Sequence, residues 1–202
     1  MEKLIEGYRR FRAGKWPERH ALFEALAERG QRPRAMVVSC VDSRVDPAMI
    51  FDAAPGEIFT VRNVANLVPP YAPDGAHHST SAALEFGVRI LEVRDLIFLG
   101  HAMCGGIRAL LDGTAAGQTD FVGDWIAIAE PAKARALSCS PAGDAQSLCE
   151  HEAVKLSLAN LMTFPWIAER AGDGRLKLHG ARFDIRSGVL EILRPDGSFA
   201  PA

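Results

Sequence analysis

The residues Ala35-Met36-Val37-Val38-Ser39-Cys40-Val41-Asp42-Ser43-Arg44 set the architecture of this chain. The first six form a short apolar run that is typical of a buried strand, and reactive side chains follow it directly. A second apolar run, residues 96–99, leads in the same way into Gly100-His101-Ala102-Met103-Cys104-Gly105-Gly106. Helical patterns separate the two runs. Strands that alternate with helices predict an α/β fold with a mainly parallel central sheet flanked by helices.

The remaining elements follow from periodicity and from the positions of proline and glycine. Residues 67–78 contain three prolines and are expected to be a loop. The spacing of apolar residues over 2–29 is broken once, which predicts two N-terminal helices. We expect further helices at 47–51, 81–91, 105–111, 121–137 and 145–170, a strand at 58–62, and two strands within 175–193. This pattern divides the chain into an N-terminal helical arm, residues 1–30, and a single α/β domain, residues 31–202.

Composition excludes several classes of protein. The 202 residues carry a formal net charge of −2, so the basic excess of a nucleic-acid-binding protein is absent. Every apolar run is far shorter than the roughly 20 residues that cross a bilayer, and the first residues lack the apolar core of a signal peptide. We therefore expect a cytoplasmic protein without a membrane or nucleic-acid partner. In a reducing compartment its four cysteines are expected to be ligands or buried thiols rather than disulfides.

Three of the reactive residues form a candidate metal site. The carboxyl ends of neighbouring parallel strands meet at one edge of a sheet, so Cys40, His101 and Cys104 converge if their strands are adjacent. Two thiolates and an imidazole suit zinc, and three protein ligands leave the fourth position open, as in catalytic sites. Asp42 would reach the metal or its water, and Arg44 would hold Asp42 ionised. For the His-x-x-Cys pair alone, a loop with a buried thiol is the plainer alternative.

Two other groups of residues attract attention. His77 and His78 precede a predicted helix and are interpreted as a solvated pair, with a proton relay as the alternative. The run Cys149-Glu150-His151-Glu152 is reminiscent of a metal motif, but Lys155 stands where His-Glu-x-x-His requires its second histidine. We interpret this run as a helix surface with one partly buried thiol.

Several motifs in one order resemble the β-class carbonic anhydrases. They are the Cys40-to-Arg44 pentapeptide, the His101/Cys104 pair with its two following glycines, and the runs PGEIFTVRNVANLVPP (55–70), TSAALEF (80–86), SLANL (157–161) and HGARFD (179–184). The resemblance covers about residues 31–193, which is most of the chain.

The resemblance implies a function and an assembly. The family binds zinc (Zn2+) through the residues that match Cys40, His101 and Cys104, with Asp42 and Arg44 as a dyad beside the metal. It catalyses the reversible hydration of CO2 to bicarbonate and a proton by attack of zinc-bound hydroxide. It also implies a homodimer or a dimer-based higher oligomer, with the N-terminal helices extending to the partner subunit.

In this family the substrate pocket lies at the dimer interface. One residue would donate a side-chain hydrogen bond to substrate, another would offer a backbone N–H, and three would form apolar walls, which suits a small molecule with weak acceptor oxygens. In that order, the matching residues are Gln31, Gly105, Phe59, Val64 and Phe86.

Some family members have a second bicarbonate pocket that drives a closed, inactive state, in which the residue matching Asp42 binds the zinc. That pocket resembles a Trp, Arg, Tyr set, and this sequence has Val37, Arg62 and Phe183 at the matching positions. Because two of the three are replaced, we predict no cooperative inhibition by bicarbonate. Asp42 itself is present, so Asp42 is expected on the metal only in such a closed state.

Two alternatives to CO2 hydration stay open. A carbonyl sulfide or carbon disulfide hydrolase would use the same site on another electrophilic carbon. A non-catalytic zinc-binding scaffold would hold the metal with a permanent fourth protein ligand.

Overall fold

The computed structural model describes residues 1–114, 119–139 and 144–202. Its strands are β1 (Ala35–Cys40), β2 (Ile58–Asn63), β3 (Asp95–His101), β4 (Lys177–Phe183), β5 (Leu190–Leu193) and β6 (Phe199–Pro201). They form one sheet in the order β2-β1-β3-β4-β5-β6. The first four strands are parallel, and β5 and β6 are antiparallel additions at one edge. The mainly parallel sheet predicted from the sequence is confirmed.

Helices lie before the sheet and between its strands. They are α1 (Glu2–Ala13), α2 (Lys15–Arg29), α3 (Pro47–Ile50), α4 (Ser79–Glu85), α5 (Gly105–Asp112), α6 (Val122–Ala127), α7 (Glu130–Cys139), α8 (Ala145–Leu161) and α9 (Pro165–Gly172). Within the described residues, none of these helices has both the length and the apolar run needed to span a bilayer.

Three predicted helices have different bounds, two of them because of proline. The helix expected over 145–170 is two helices, since Pro165 offers no N–H and keeps Phe164 extended at φ −78°, ψ 115°. The helix expected over 121–137 also divides, because Pro131 sits in the first turn of α7. The helix expected over 81–91 begins earlier and ends in a wider π-type turn, residues 86–90, after α4.

The C-terminal part of the chain contains one strand that the sequence analysis missed. β4 and β5 are the expected pair, and the turn between them contains Gly188 at φ +72°. A second turn, closed by the Arg194 N–H on the Ser198 carbonyl at 2.8 Å, leads into β6. Three residues are too few to show an alternating pattern, so periodicity did not reveal β6.

The core follows the two-residue period of the strands. Met36, Val38 and Phe98 point to one face of the sheet, where they pack with residues of the π turn, α8 and α9. Val37 and Leu99 point to the other face and contact side chains near α3. A third cluster lies beneath the carboxyl ends of β1 and β3 and joins the loops there to α6, α7 and α8. This third cluster supports the candidate site.

The N-terminal helices stand apart from these clusters. Neither α1 nor α2 contains a buried residue. Phe11, Trp16 and Phe23 contact one another, with ring centroids between 5.1 and 6.5 Å apart. Leu26 of α2 lies over Gly56, where a Cβ would approach its Cδ2 to 2.8 Å. The apolar side chains Leu4 and Tyr8 of α1 are exposed.

Candidate metal centre

The three predicted ligands come together at the carboxyl edge of the sheet. β1 and β3 are direct neighbours, and Ser39 pairs with Leu99, so Cys40 and His101 end their strands within one residue of the same level. Cys104 follows after a short turn. The ligand atoms of Cys40, His101 and Cys104 lie within 4.8 Å of one another, and all three residues are buried.

The turn that carries Cys104 depends on two unusual backbone positions. Met103 has a left-handed conformation at φ +57°, which a non-glycine residue adopts only when its surroundings hold it. Cys104 is the residue immediately before α5, and Gly106 lies in the first turn of that helix. A Cβ on Gly106 would approach the Cβ of Ala65 to 2.7 Å. Glycine at this position therefore lets α5 lie against the turn that follows β2.

The hydrogen bonding of His101 fits a metal ligand. Its Nδ1 lies 2.9 Å from the carbonyl oxygen of Ala102, so Nδ1 carries the proton and donates it. Its Nε2 is buried and has no hydrogen-bond partner among the described residues. Buried polar atoms are almost always paired, and a histidine that ligates a metal commonly donates its other ring N–H to a carbonyl. The free lone pair of Nε2 beside two sulfur atoms therefore fits zinc.

The two cysteines behave as a coupled pair. The neighbouring Cys104 thiol lowers the pKa of Cys40 to about 4, against the effect of burial. The Cys40 sulfur and then burial raise the pKa of Cys104. The two shifts have opposite directions because the proton on Cys104 stabilises a Cys40 thiolate, and Cys104 gives up that proton less readily. A divalent cation replaces that proton with a stronger positive charge, and two sulfurs and one nitrogen form a typical zinc donor set.

Asp42 and Arg44 form the predicted dyad. Arg44 donates three hydrogen bonds to the Asp42 carboxylate: backbone N to Oδ1 at 3.0 Å, Nε to Oδ1 at 2.9 Å and Nη2 to Oδ2 at 2.7 Å. These bonds hold the pKa of Asp42 well below its usual range. Each carboxylate oxygen has two lone pairs, so Oδ2 keeps one unused acceptor position in this set of bonds.

Arg62 holds the loop that carries Cys40 and Asp42. Its Nε donates to the Cys40 carbonyl at 2.8 Å and its Nη2 to the Asp42 carbonyl at 2.7 Å. Its Nη1 pairs with Asp46 at 3.1 Å. The sequence analysis considered Arg62 as part of an incomplete bicarbonate set and did not predict these contacts with the loop. Within this chain its guanidinium serves the loop between β1 and α3.

Glu150 was missed by the sequence analysis, and the interpretation of residues 149–152 as a helix surface with one partly buried thiol is wrong at Glu150; the thiol of Cys149 is fully buried. Cys149 and Glu150 are 0% and 3% exposed, because this face of α8 packs against the metal loop and β4. Glu150 Oε1 accepts the Cys104 N–H at 3.0 Å, and its Oε2 accepts from Arg182 Nη2 at 2.8 Å. No usable signal for this burial was present in the sequence. A buried carboxylate needs a cationic partner, and that partner, Arg182, lies on β4, far from Glu150 in the sequence.

The predicted pocket residues separate into two groups. Val64 and Gly105 adjoin the metal centre, because Asn63 pairs with Cys40 and Gly105 follows Cys104. Phe59 instead pairs with Met36, four residues before Cys40, which is about 13 Å along the strand.

The other two pocket residues lie on the same side as Phe59. Phe86 stacks on Phe59 with ring centroids 5.8 Å apart. Gln31 lies before β1, nine residues ahead of Cys40. One chain therefore does not bring Gln31, Phe59 and Phe86 to its own metal centre.

A cavity of about 640 Å³ lies beside Val64. His77, His78, Phe121 and Trp125 are among its lining residues, and the Trp125 Nε1 donates to the Val64 carbonyl at 2.7 Å. His78 also pairs with Asp74 at 2.7 Å. The two histidines therefore line a concave surface, and their role as a solvated pair or a proton relay stays a prediction.

Known proteins share this chain's sequence and fold. The sequence model of the carbonic anhydrase family matches residues 35–190. A β-carbonic anhydrase of Arabidopsis thaliana is 36% identical over 208 positions, which span 100% of this chain and 80% of that protein. A carbonic anhydrase of Pseudomonas aeruginosa is 37% identical, over 96% of this chain and 87% of that protein.

Solved structures agree with these sequence comparisons. The β-carbonic anhydrase CcaA superposes with a TM-score of 0.93 at 33% identity, covering 100% of this chain and 99% of that one. A tetrameric β-carbonic anhydrase of Sordaria macrospora superposes with a TM-score of 0.79 at 25% identity, covering 98% of both chains. Together with a family model that matches most of the sequence, these similarities show that the chain belongs to the β-carbonic anhydrase family.

Proposed function

We propose that this protein is a zinc-dependent carbonic anhydrase that hydrates CO2 reversibly to bicarbonate and a proton. The observation that carries the proposal is the buried group of Cys40, His101 and Cys104, whose donor atoms lie within 4.8 Å of one another in a chain of this family. Zinc held by these residues would acidify a water molecule and so supply a nucleophile near neutral pH.

Within this proposal the ligands are set by their surroundings. The Ala102 carbonyl fixes the tautomer of His101, so its Nε2 presents a lone pair to the metal. The sulfurs of Cys40 and Cys104 would bind the metal as thiolates and so supply negative charge. Three protein ligands leave one position of a tetrahedral site for water or substrate.

Asp42 is proposed to orient the attacking water. Because Arg44 keeps its carboxylate ionised, Asp42 accepts a hydrogen bond at the unused position of Oδ2 rather than removing a proton permanently. A water molecule whose O–H donates a hydrogen bond to Asp42 has its lone pair directed away from Asp42, toward the electrophilic carbon. On this basis a fourth protein ligand is expected only in a closed state with Asp42 on the metal.

We propose that the substrate pocket is completed by a second copy of the chain. Val64 and Gly105 are beside the chain's own metal centre, and the distances along β1 and β2 support a contribution of Gln31, Phe59 and Phe86 to the partner's site. Phe86 is 41% exposed, and an exposed aromatic side chain of this kind is typical of a surface that a partner subunit covers.

The assembly is proposed to be a homodimer or a larger oligomer built from dimers, in which residues 1–30 form an arm on the partner. The exposed apolar residues of α1 support such an arm, and the Sordaria macrospora relative is described as tetrameric. We also propose a cytoplasmic location, since four free cysteines are typical of a reducing compartment.

The test is stopped-flow CO2 hydration by zinc-loaded protein between about pH 6.5 and 9, the range in which zinc-bound water titrates. We expect one zinc per chain and a rate that rises with pH. Cys104→Ser should lose both zinc and activity, whereas Cys139→Ser, which changes an exposed thiol outside the group, should keep both.

A protein that binds one zinc per chain but hydrates no CO2 at any pH would overturn the proposal. Carbonyl sulfide and carbon disulfide would then be tried as substrates. Failure with these as well, together with a zinc ion that has no exchangeable water, would leave the non-catalytic scaffold.

A further inference from the structure

We propose that Glu150 is a positioning residue that, together with Arg44, clamps the single peptide unit between Met103 and Cys104. This inference rests on the proposed metal site and adds a residue to it. Arg44 Nη2 donates to the Met103 carbonyl at 3.2 Å, and the Cys104 N–H donates to Glu150 Oε1 at 3.0 Å. The carbonyl and the N–H are the two ends of one planar amide, so one side chain from the loop after β1 and one from α8 fix its orientation.

The contact from α8 is made by two residues on one helical face. Gln146 and Glu150 are four residues apart in α8, so they lie on the same face of the helix, about one turn from each other. Gln146 Nε2 donates to Glu150 Oε1 at 3.0 Å and to the Cys104 carbonyl at 3.4 Å. Both polar backbone groups of Cys104 thus have a partner on α8.

The charge of Glu150 is buried at a cost that the fold alone does not require. Its side chain is 2% exposed, and that of its partner Arg182 is 8% exposed. Arg182 donates to Glu150 Oε2 from Nε at 3.1 Å and from Nη2 at 2.8 Å, and to Glu191 from Nη1 at 2.8 Å. Apolar side chains of similar volume stabilise a protein interior at least as well as a buried ion pair. The placement of this pair against a ligand's N–H points to a local task.

That task is to hold a backbone conformation that is unfavourable by itself. Met103 is left-handed, at φ +57°, and a return to negative φ by rotation about its N–Cα bond would carry the following amide with it. Such a rotation would turn the Met103 carbonyl away from Arg44 and would move the Cys104 sulfur with its Cα. The clamp therefore couples the thiolate geometry to the Asp42/Arg44 dyad.

The decisive variant is Glu150→Met combined with Arg182→Leu, which removes both buried charges and keeps most of the volume. We expect it to fold, to lose zinc to a chelator at least about tenfold faster than the parent protein, and to shift the thiolate absorption bands of the cobalt-substituted form. Glu150→Gln combined with Arg182→Gln restores a neutral acceptor for the Cys104 N–H and should recover most of the zinc retention. Glu152→Gln, on the same helix but paired with Lys155, is the matched control and should match the parent.

The outcomes separate this inference from the proposed function. A parent protein that binds no metal overturns the proposed function, and the inference with it. A parent that binds zinc, with a folded Met/Leu variant of the same zinc release rate and the same cobalt spectrum, overturns the inference alone. If the Met/Leu variant does not fold, hydrogen exchange in the parent decides: the Cys104 amide should exchange at least about tenfold more slowly than the Gly105 amide, and equal rates would reject the clamp.

Discussion

Asp42 illustrates how one side chain can be charged and yet be a weak base. The three hydrogen bonds from Arg44 stabilise its ionised form, so its pKa lies well below the usual range of a carboxyl group. A carboxylate of this kind gives little driving force for proton removal at neutral pH. Asp42 must therefore contribute to the reaction by orienting the attacking water, through the hydrogen bond that its carboxylate accepts.

We expect Asp42→Asn to keep one zinc per chain and to lower kcat about a hundredfold, since misdirection of a reacting group costs about that much. An amide at this position presents a donor to Arg44 or to the water, and either choice breaks the alignment. Zinc content and stopped-flow hydration measure the two effects separately. Asp173→Asn, which changes another arginine-paired carboxylate on the surface, is the control and should leave kcat unchanged. Wild-type turnover in Asp42→Asn would remove Asp42 from the mechanism.

Individual residues of the site differed in how far the sequence revealed them. Cys40, His101 and Cys104 were predictable because the first two end strongly apolar strands, the third follows shortly after, and strand ends of a parallel sheet converge. Glu150 and Arg62 were not, because each joins backbone groups of a loop distant in sequence to a charged side chain on another part of the chain. Those contacts depend on how closely α8 approaches the loop before α5 and how closely β2 approaches the loop after β1. The spacing of apolar residues in the sequence does not contain this information.

At the scale of elements, the loop that carries Cys104, residues 102–104, lies between β3, α5 and α8, and these elements are closely packed around it. The first turn of α5 lies against the turn after β2, and α8 lies against β3 and β4. Glycines in β3 and β4 allow the close approach of α8. A Cβ on Gly100 would come within 2.8 Å of Val154 Cγ2, and one on Gly180 within 2.9 Å of Leu158 Cδ1. The helix packing that buries Glu150 therefore depends on small residues in the strands.

Gly106→Ala tests the contact between α5 and the turn after β2. The added methyl would meet the Ala65 Cβ at 2.7 Å, so we expect a loss of about 1–3 kcal/mol in the free energy of unfolding, the usual cost of overpacking. We also expect weaker zinc binding, because α5 begins directly after Cys104. Gly172→Ala is the control, since a Cβ there has no atom within 4 Å. Denaturant unfolding and zinc titration check both effects, and equal stability of the two variants would contradict the prediction.

The ion pairs that join β4, β5 and α8 predict a dependence of stability on pH. Burial acts to raise the pKa of Glu191, but hydrogen bonds with His151 and Arg182 outweigh it and the net pKa is lowered. Its contribution is therefore fully present above the unfolded value near 4.5 and is lost as the pH falls through the lower folded value.

We expect Glu191→Gln to lower the free energy of unfolding by about 1–2 kcal/mol at pH 6 to 8, the range for hydrogen bonds to charged groups, and by much less near pH 3.5. Denaturant titrations at several pH values measure the difference. Glu169→Gln, which changes a largely exposed carboxylate, should show a small and nearly constant difference. A Glu191→Gln difference that stays constant down to pH 3.5 would rule out this contribution.

The elements themselves were predicted unevenly, for physical reasons. β1 and β3 were clear because strands that are covered on both faces are apolar throughout. The division between α8 and α9 was missed because their apolar residues share one period, although Pro165 gave a local warning. β6 was missed because three residues at a sheet edge are held by pairing with β5 rather than by their own composition.

At the scale of the whole molecule, each chain carries parts of a pocket in two places. Its metal centre, Val64 and Gly105 lie at one end of the parallel strands, and Gln31 lies before the other end. If each chain completes its partner's site, then two different defects can be distributed so that one intact site remains.

We predict that mixed dimers of Gln31→Ala and Cys104→Ser recover activity that neither variant has alone. A mixed dimer would contain one site with intact ligands and an intact Gln31, and one site with both defects. Random mixing makes about half of the dimers mixed, so the expected activity is about a quarter of the wild-type value. Co-refolding in equal amounts followed by stopped-flow assay measures it. The control is a mixture of Cys139→Ser and Cys104→Ser, in which every site with intact ligands also has an intact Gln31. No recovery of activity in the test mixture would place Gln31 in its own chain's site or outside the pocket.

The last strand of the sheet bears on how the protein avoids unwanted polymerisation. β6 is only three residues long, and its final residue, Pro201, has no N–H to offer to another strand. Short strands and prolines at an edge are devices by which natural sheets discourage a further chain from adding to the ladder. β6 therefore covers β5 and leaves a neighbouring strand few backbone groups to pair with at this edge of the sheet.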